Sequence, residues 1–145
     1  MSGKIIAVNI SDKKGVAKNP IPYGEFKENH GLIGDAHAGN WHRQVSLLGI
    51  ESVKKLELKN KDGDCIGVFA ENLTTEGMIL YELAVGTKLK IGDTIQEITQ
   101  IGKECHDGCA IKKQYGQCVL PKEGIFTKVL KGGIIKPGDE IQLLS

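Results

Sequence analysis

Residues 85–95 read Val-Gly-Thr-Lys-Leu-Lys-Ile-Gly-Asp-Thr-Ile, and residues 131–141 read Lys-Gly-Gly-Ile-Ile-Lys-Pro-Gly-Asp-Glu-Ile. Each stretch places a Gly-Asp pair between two short β-branched runs, a hairpin signal. Around the first pair, Thr87–Ile91 and Thr94–Ile101 alternate apolar with polar residues, as half-buried strands do. The two stretches read better as two ordinary hairpins than as a duplicated unit. Short strands with regular glycine punctuation suit a tightly curved sheet, which needs glycine where the backbone bends or takes positive φ. Pro137 fits only where no ladder donor is required, here at the entry to a turn. With 19 glycines and only 5% aromatic residues, the expected fold is a mostly-β barrel with a few short helices.

Other segments agree. Lys4–Ile10 reads as a β-branched strand closed by Ser11-Asp12, and Arg43–Leu48 as another. Apolar residues at 50, 53, 56 and 58 give a helical spacing, so a short helix is predicted over 50–58. No linker or low-complexity tract divides the chain, and 145 residues fit a single domain over 1–145. At 40% hydrophobic residues it can bury a core without staples.

Charge excludes some functions. Nineteen basic and 18 acidic residues leave a net charge of +1, which gives no footprint for nucleic acid or an anionic membrane. No apolar run approaches a membrane span, and Met1–Ile10 lacks the apolar stretch of a signal peptide. The expected location is the cytoplasm, where thiols are free or liganded more often than paired in disulfides.

Two polar segments can carry a site. Gly31–Gly39 combines three glycines with Asp35 and His37, and Trp41, His42 and Arg43 follow at once. Glycine lets a backbone approach a ligand, and arginine suits a bidentate grip on phosphate or carboxylate. The segment matches neither standard nucleotide loop. On composition alone, a glycine-rich loop with Asp35 capping a turn and His37 forming a local hydrogen bond is the better explanation. Residues 69–77, Phe-Ala-Glu-Asn-Leu-Thr-Thr-Glu-Gly, contain Asn72, whose amide can face a heterocycle or satisfy nearby backbone.

Three of the four cysteines, Cys105, Cys109 and Cys118, fall within 14 residues together with His106. A zinc site is one reading, but Cys118 lacks the close partner of a second knuckle unless distant Cys65 supplies it. A redox pair between Cys105 and Cys109 lacks the Cys-x-x-Cys spacing. Packing suits Cys65, which is flanked by Ile66 and Val68. The fourth reading is a reactive thiol at Cys118, between Gly116 and Pro121, with Lys112, Lys113 and Lys122 nearby to favour the thiolate.

Five ordered blocks together resemble a known family. They are Gly-Asp-Ala-His-Ala-Gly at 34–39, Arg-Gln-Val-Ser-Leu-Leu at 43–48, residues 69–77, Ile-Gly-Lys-Glu-Cys-His at 101–106, and Gly-Gln-Cys-Val-Leu-Pro-Lys-Glu-Gly-Ile-Phe at 116–126. The pattern is similar to the MOSC domain, named for the C-terminal domain of molybdenum-cofactor sulfurases, in its small standalone bacterial form. The resemblance implies a mostly-β barrel and a reactive cysteine matched by Cys118. It implies a persulfide sulfur carrier or a binder of the molybdenum-pterin cofactor, with Cys118 also the candidate molybdenum ligand. Pyridoxal phosphate would come only through a partner cysteine desulfurase, and molybdenum-cofactor biosynthesis proteins are the other expected partners. Arg43, Asn72, Asp35 and His37 are expected to line the cofactor site, with Cys105 and Cys109 beside Cys118. The alternatives are a molybdenum-dependent reductase of N-hydroxylated compounds and a zinc-stabilised binding module without turnover. Neither the extra N-terminal subdomain of the first nor the desulfurase domain fused in the sulfurases is expected within these 145 residues.

Overall fold

A computed structural model describes residues 2–13, 18–51, 71–102 and 124–144. Eleven strands lie in these residues: β1 (Ser2–Ile10), β2 (Asn19–Ile21), β3 (Gly24–Lys27), β4 (Gly31–Leu32), β5 (Val45–Gly49), β6 (Leu73–Glu76), β7 (Lys88–Ile91), β8 (Thr94–Ile101), β9 (Ile125–Lys131), β10 (Gly133–Ile135) and β11 (Glu140–Leu143). Seven of them close into a barrel in the order β11-β7-β8-β9-β5-β6-β1, and β1 pairs back onto β11. Closure removes the exposed sheet edges that invite aggregation. Within the ring only β5 and β6 run parallel, Leu47 opposite Leu73. Strands β10, β3 and β4 form a second, three-stranded sheet. The mostly-β expectation holds.

Alternation along the strands builds the core. Val8, Val45, Leu47, Leu73, Leu89, Ile91, Ile98, Ile125, Val129 and Ile141 point inward and are essentially unexposed. Phe26, Leu32 and Ile135 of the second sheet join the same cluster, so the two sheets share one core. Full burial of such a side chain contributes about 1.5–3 kcal/mol. β1 slips register between Ile5 and Ala7 against β6, which lets Ile5 and Val8 both reach the core. The helical expectation over 50–58 is met only at Ile50 and Glu51; residues 52–58 lie outside those described. A 3-10 turn at Leu80–Glu82 is the other helical element among the described residues.

The first Gly-Asp hairpin is as expected: β7 and β8 pair in register from Ile91–Thr94 to Lys88–Glu97, with Gly92 at φ +55°. The second stretch is not a hairpin. Its strands separate, β10 pairing with β3 and β11 with β7 and β1. The turn itself explains the divergence. Gly138 N–H donates to Ile5 O at 2.7 Å, and Ile5 N–H donates to Asp139 O at 2.8 Å. The turn is therefore bonded to β1 instead of folding β10 back onto β11. Gly133 adds a close approach: a Cβ there would sit 2.7–3.0 Å from Asp93, so the two Gly-Asp stretches pack on each other.

Candidate functional site

Strand pairing aligns five residues across the barrel face opposite the core. Asn9 N–H donates to Asn72 O at 2.7 Å, and Asn72 N–H donates to Ser46 O at 2.9 Å. Ser46 is paired with Phe126, and Phe126 with Gln100. Val8, Leu73, Val45, Leu47 and Ile125 point into the core, so period-2 alternation turns their neighbours in this row the other way. At about 4.8 Å between strands, the row runs roughly 19 Å from Asn9 to Gln100. The glycine-rich segment identified from sequence is anchored at both ends of it. Near Asn9, Ala36 N–H donates to Ser11 O at 2.8 Å. At the far end, the Thr99 hydroxyl donates to His42 O, and the His42 ring lies 2.9 Å from Gln100 Oε1.

Asp35 ties the first anchor. Its Oδ1 accepts from Ser11 N–H at 3.1 Å and from Lys18 Nζ at 2.9 Å, and its Oδ2 accepts from His37 N–H at 3.0 Å. Both Asp35 and Lys18 side chains are fully buried. Burial opposes ionisation of Asp35. The Lys18 hydrogen bond and charge, with the His37 and Ser11 N–H groups, outweigh it and hold the carboxyl below its ordinary value. Lys18 also donates to Ser11 Oγ at 2.9 Å and lies 3.2 Å from His37 Nδ1. An ammonium has only donors, so Nδ1 is the acceptor and the ring proton sits on Nε2. Trp41 Nε1–H in turn donates to His37 O at 2.7 Å. Asp35 and His37 thus shape the loop that carries Trp41, His42 and Arg43.

Asn72 is unexposed, and its amide is engaged within the barrel. Oδ1 accepts from Ser46 N–H at 3.0 Å and Ser46 Oγ at 3.2 Å, while Nδ2 donates to Asn9 O at 3.2 Å. Beside it, Asn9 Nδ2 donates to Glu71 O at 3.2 Å and Thr74 Oγ1 at 3.0 Å. The Thr74 hydroxyl in turn donates to Glu71 Oε2 at 2.8 Å. Of the two roles the sequence allowed Asn72, the geometry displays satisfaction of nearby backbone. The amide joins β5, β6 and β1.

Arg43 differs. Its Cζ lies 5.3 Å from the Trp41 ring centroid and 5.7 Å from that of Phe126, so two aromatic faces hold the guanidinium. Its Nε is buried and has no hydrogen-bond partner. No ion pair to Arg43 occurs among the described residues. A buried, unpaired donor on a held cation is a ready receptor for an oxyanion.

The root of the cysteine-bearing segment adjoins this shelf. Gly102 N–H donates to Gly124 O at 2.7 Å, closing the base of residues 103–123 directly after the Gln100–Phe126 and Ile101–Ile125 pairs. Gln100 Nε2 also donates to Gly102 O at 2.7 Å. Cys65, Cys105, Cys109 and Cys118 lie outside the described residues. The structure therefore brings Arg43 and Asn72 to the two sides of Ser46, and places Asp35 and His37 at the base of the Arg43 loop. Sequence reasoning missed Lys18, Asn9, Ser46 and Gln100, each of which has a partner 17 to 65 residues away. Neither local pattern nor charge marks them.

Known proteins share this architecture. The chain aligns over 99% of its length with 96% of YuaD from Bacillus subtilis, at 22% identity and a TM-score of 0.79. It matches YiiM from Geobacillus stearothermophilus at 21% identity and a TM-score of 0.74, covering 99% of this chain and 75% of that one. YiiM from Escherichia coli gives 16% identity and a TM-score of 0.70, over 100% and 70% of the two chains. At these identities the likeness is one of fold. No curated protein sequence matches the chain. The MOSC domain profile matches residues 34–142, from Gly34 of the glycine-rich loop to Gln142 of β11. The chain belongs to the MOSC domain family.

Proposed function

We propose that this protein handles the molybdenum cofactor, as a persulfide sulfur carrier or cofactor binder, with Cys118 as the sulfur-bearing residue and Arg43 as the anchor for an anionic group. One observation carries the reading: a cation held between Trp41 and Phe126, with an unpaired Nε, stands beside the root of the segment that contains Cys105, Cys109 and Cys118. Arg43 fits the phosphate end of a pterin cofactor, whose metal would supply the redox chemistry when bound. A thiolate is a good ligand for a soft metal and a good nucleophile toward sulfane sulfur. Asp35 and His37 serve by fixing the loop, and Asn72 by fixing the strands beneath it. The sulfur donor in this reading is a pyridoxal-phosphate cysteine desulfurase.

The test is metal and pterin analysis of protein purified from cells able to make molybdopterin, together with persulfide trapping on Cys118 after incubation with a cysteine desulfurase and cysteine. Molybdenum with pterin, or a transferable sulfur on Cys118, supports the proposal. Stoichiometric zinc without either overturns it in favour of a zinc-stabilised module.

A further inference from the structure

β8 carries a bulge where it passes the Arg43 site. Ile98 pairs with Thr127 and Gln100 with Phe126, so Thr99 is the extra residue, with no partner opposite it on β9. In a regular strand the side chains of Thr99 and Gln100 would take opposite faces of the sheet. Here both reach His42. The Thr99 hydroxyl donates to His42 O, and Gln100 Oε1 lies 2.9 Å from the His42 ring. The same hydroxyl lies 3.2 Å from Phe126 O, so two carbonyls share its one proton. Those carbonyls belong to the two walls of the guanidinium site. His42 stands between Trp41 and Arg43 in the chain, and Phe126 supplies the second ring. On its other side Arg43 is followed by Gln44, which is fully buried. Gln44 Oε1 accepts from Val129 N–H at 2.9 Å, and its Nε2 donates to Asn29 Oδ1 at 3.1 Å. The main chain is therefore tied down on both sides of Arg43.

We infer that Thr99 is a positioning residue for the Arg43 site: its hydroxyl ties the loop wall to the β9 wall and so sets how tightly Arg43 holds an oxyanion. The inference rests on Arg43 being an anion receptor and adds the residue that keeps the receptor assembled. The glycine-rich loop cannot take over this task with its own amides. The N–H groups of residues 35–39 are each donated to a nearby oxygen of the protein. Affinity then depends on where the Arg43 side chain is held. With the walls tied, the guanidinium keeps both rings and its Nε stays out of water, where a charged hydrogen bond is stronger. A site assembled before the anion arrives also spends none of the binding energy on ordering the loop. Without the hydroxyl, the loop that carries Trp41 and Arg43 loses its link to Phe126 O, and the guanidinium can leave the second ring. Thr99 itself is only partly buried, so the tie can be cut without opening the core.

Trp41 is the only tryptophan of the chain and touches the guanidinium, so its fluorescence reports on the site. The probe is sodium sulfate, titrated against that signal at constant low ionic strength and neutral pH. Thr99→Val keeps the shape and strand preference of threonine but removes the hydroxyl. It should bind sulfate about fivefold more weakly, the scale of one net hydrogen bond, and melt within a few degrees of wild type. Thr99→Ala, which also lacks the hydroxyl, should weaken binding to the same extent. Thr99→Ser, which restores the hydroxyl without the methyl group, should return the affinity to within about twofold of wild type. Arg43→Gln should lose binding. Wild-type affinity in both Thr99→Val and Thr99→Ala, or a loss that Thr99→Ser does not repair, overturns the role of Thr99 and leaves Arg43 as an anion site. Wild-type protein that binds no better than Arg43→Gln overturns both.

Discussion

The ammonium of Lys18 lies 2.9 Å from the carboxylate of Asp35, and neither side chain is exposed. Such a pair is not evidence of large net stability, because both charges have been taken out of water. Removing one partner is a different matter, since the other charge is stranded. Lys18→Met should therefore cost about 3–5 kcal/mol, measured by urea denaturation. Replacing both residues with apolar ones should recover part of the loss. A single substitution costing under about 1 kcal/mol would show that the pair is not closed in solution.

The depressed pKa of Asp35 gives a pH dependence of definite sign. Its ordinary value is 3.8 and its folded value is lower. More protons are then bound in the unfolded state around that pH, so stability rises with pH there. The contribution is complete above about pH 5 and is lost as the pH falls through 3.8 and then through the folded value. Melting temperature should fall below about pH 4, and Asp35→Asn, less stable throughout, should show a shallower decline. Equal slopes in both proteins would reject this assignment.

Asn72 should matter to stability more than to ligand binding. Asn72→Ala leaves Ser46 N–H without its side-chain acceptor and Asn9 O without its side-chain donor in the interior. Each such buried loss costs about 1–3 kcal/mol, so at least about 2 kcal/mol is expected. Sulfate affinity of the folded fraction should stay within about twofold of wild type, because Arg43 is held by Trp41 and Phe126 and not by Asn72. A stable variant that has lost sulfate binding would reverse the assignment.

Chemistry and stability should separate at Cys118. Cys118→Ser should abolish persulfide loading yet melt within a few degrees of wild type, since substitutions away from packing cost within about half a kcal/mol. A strong chelator should change little. A structural zinc ligand would behave otherwise, because metal affinity there is folding free energy. A large chelator-sensitive fall in melting temperature is the outcome that would transfer Cys118 to a zinc site.

Much of the strand content was legible in the chain. Lys4–Ile10 and the β7–β8 hairpin follow from β-branched alternation and a Gly-Asp turn, which are local properties. The same local evidence failed at residues 131–141. The turn there is real, but Gly138 and Asp139 bond to Ile5 of β1, and no nearby pattern encodes a partner more than 130 residues away. The functional residues divide in the same way. Sequence pointed to Arg43 because arginine after a glycine-rich loop suits anion binding whatever the fold. Only the tertiary structure decided that Trp41 and Phe126 hold it, that Lys18 neutralises Asp35, and that Asn72 braces three strands. Residue type fixes what a group can do chemically. Which of those capacities is used depends on which partners the barrel brings within about 3 Å, and in a closed ring of strands those partners come from distant parts of the chain.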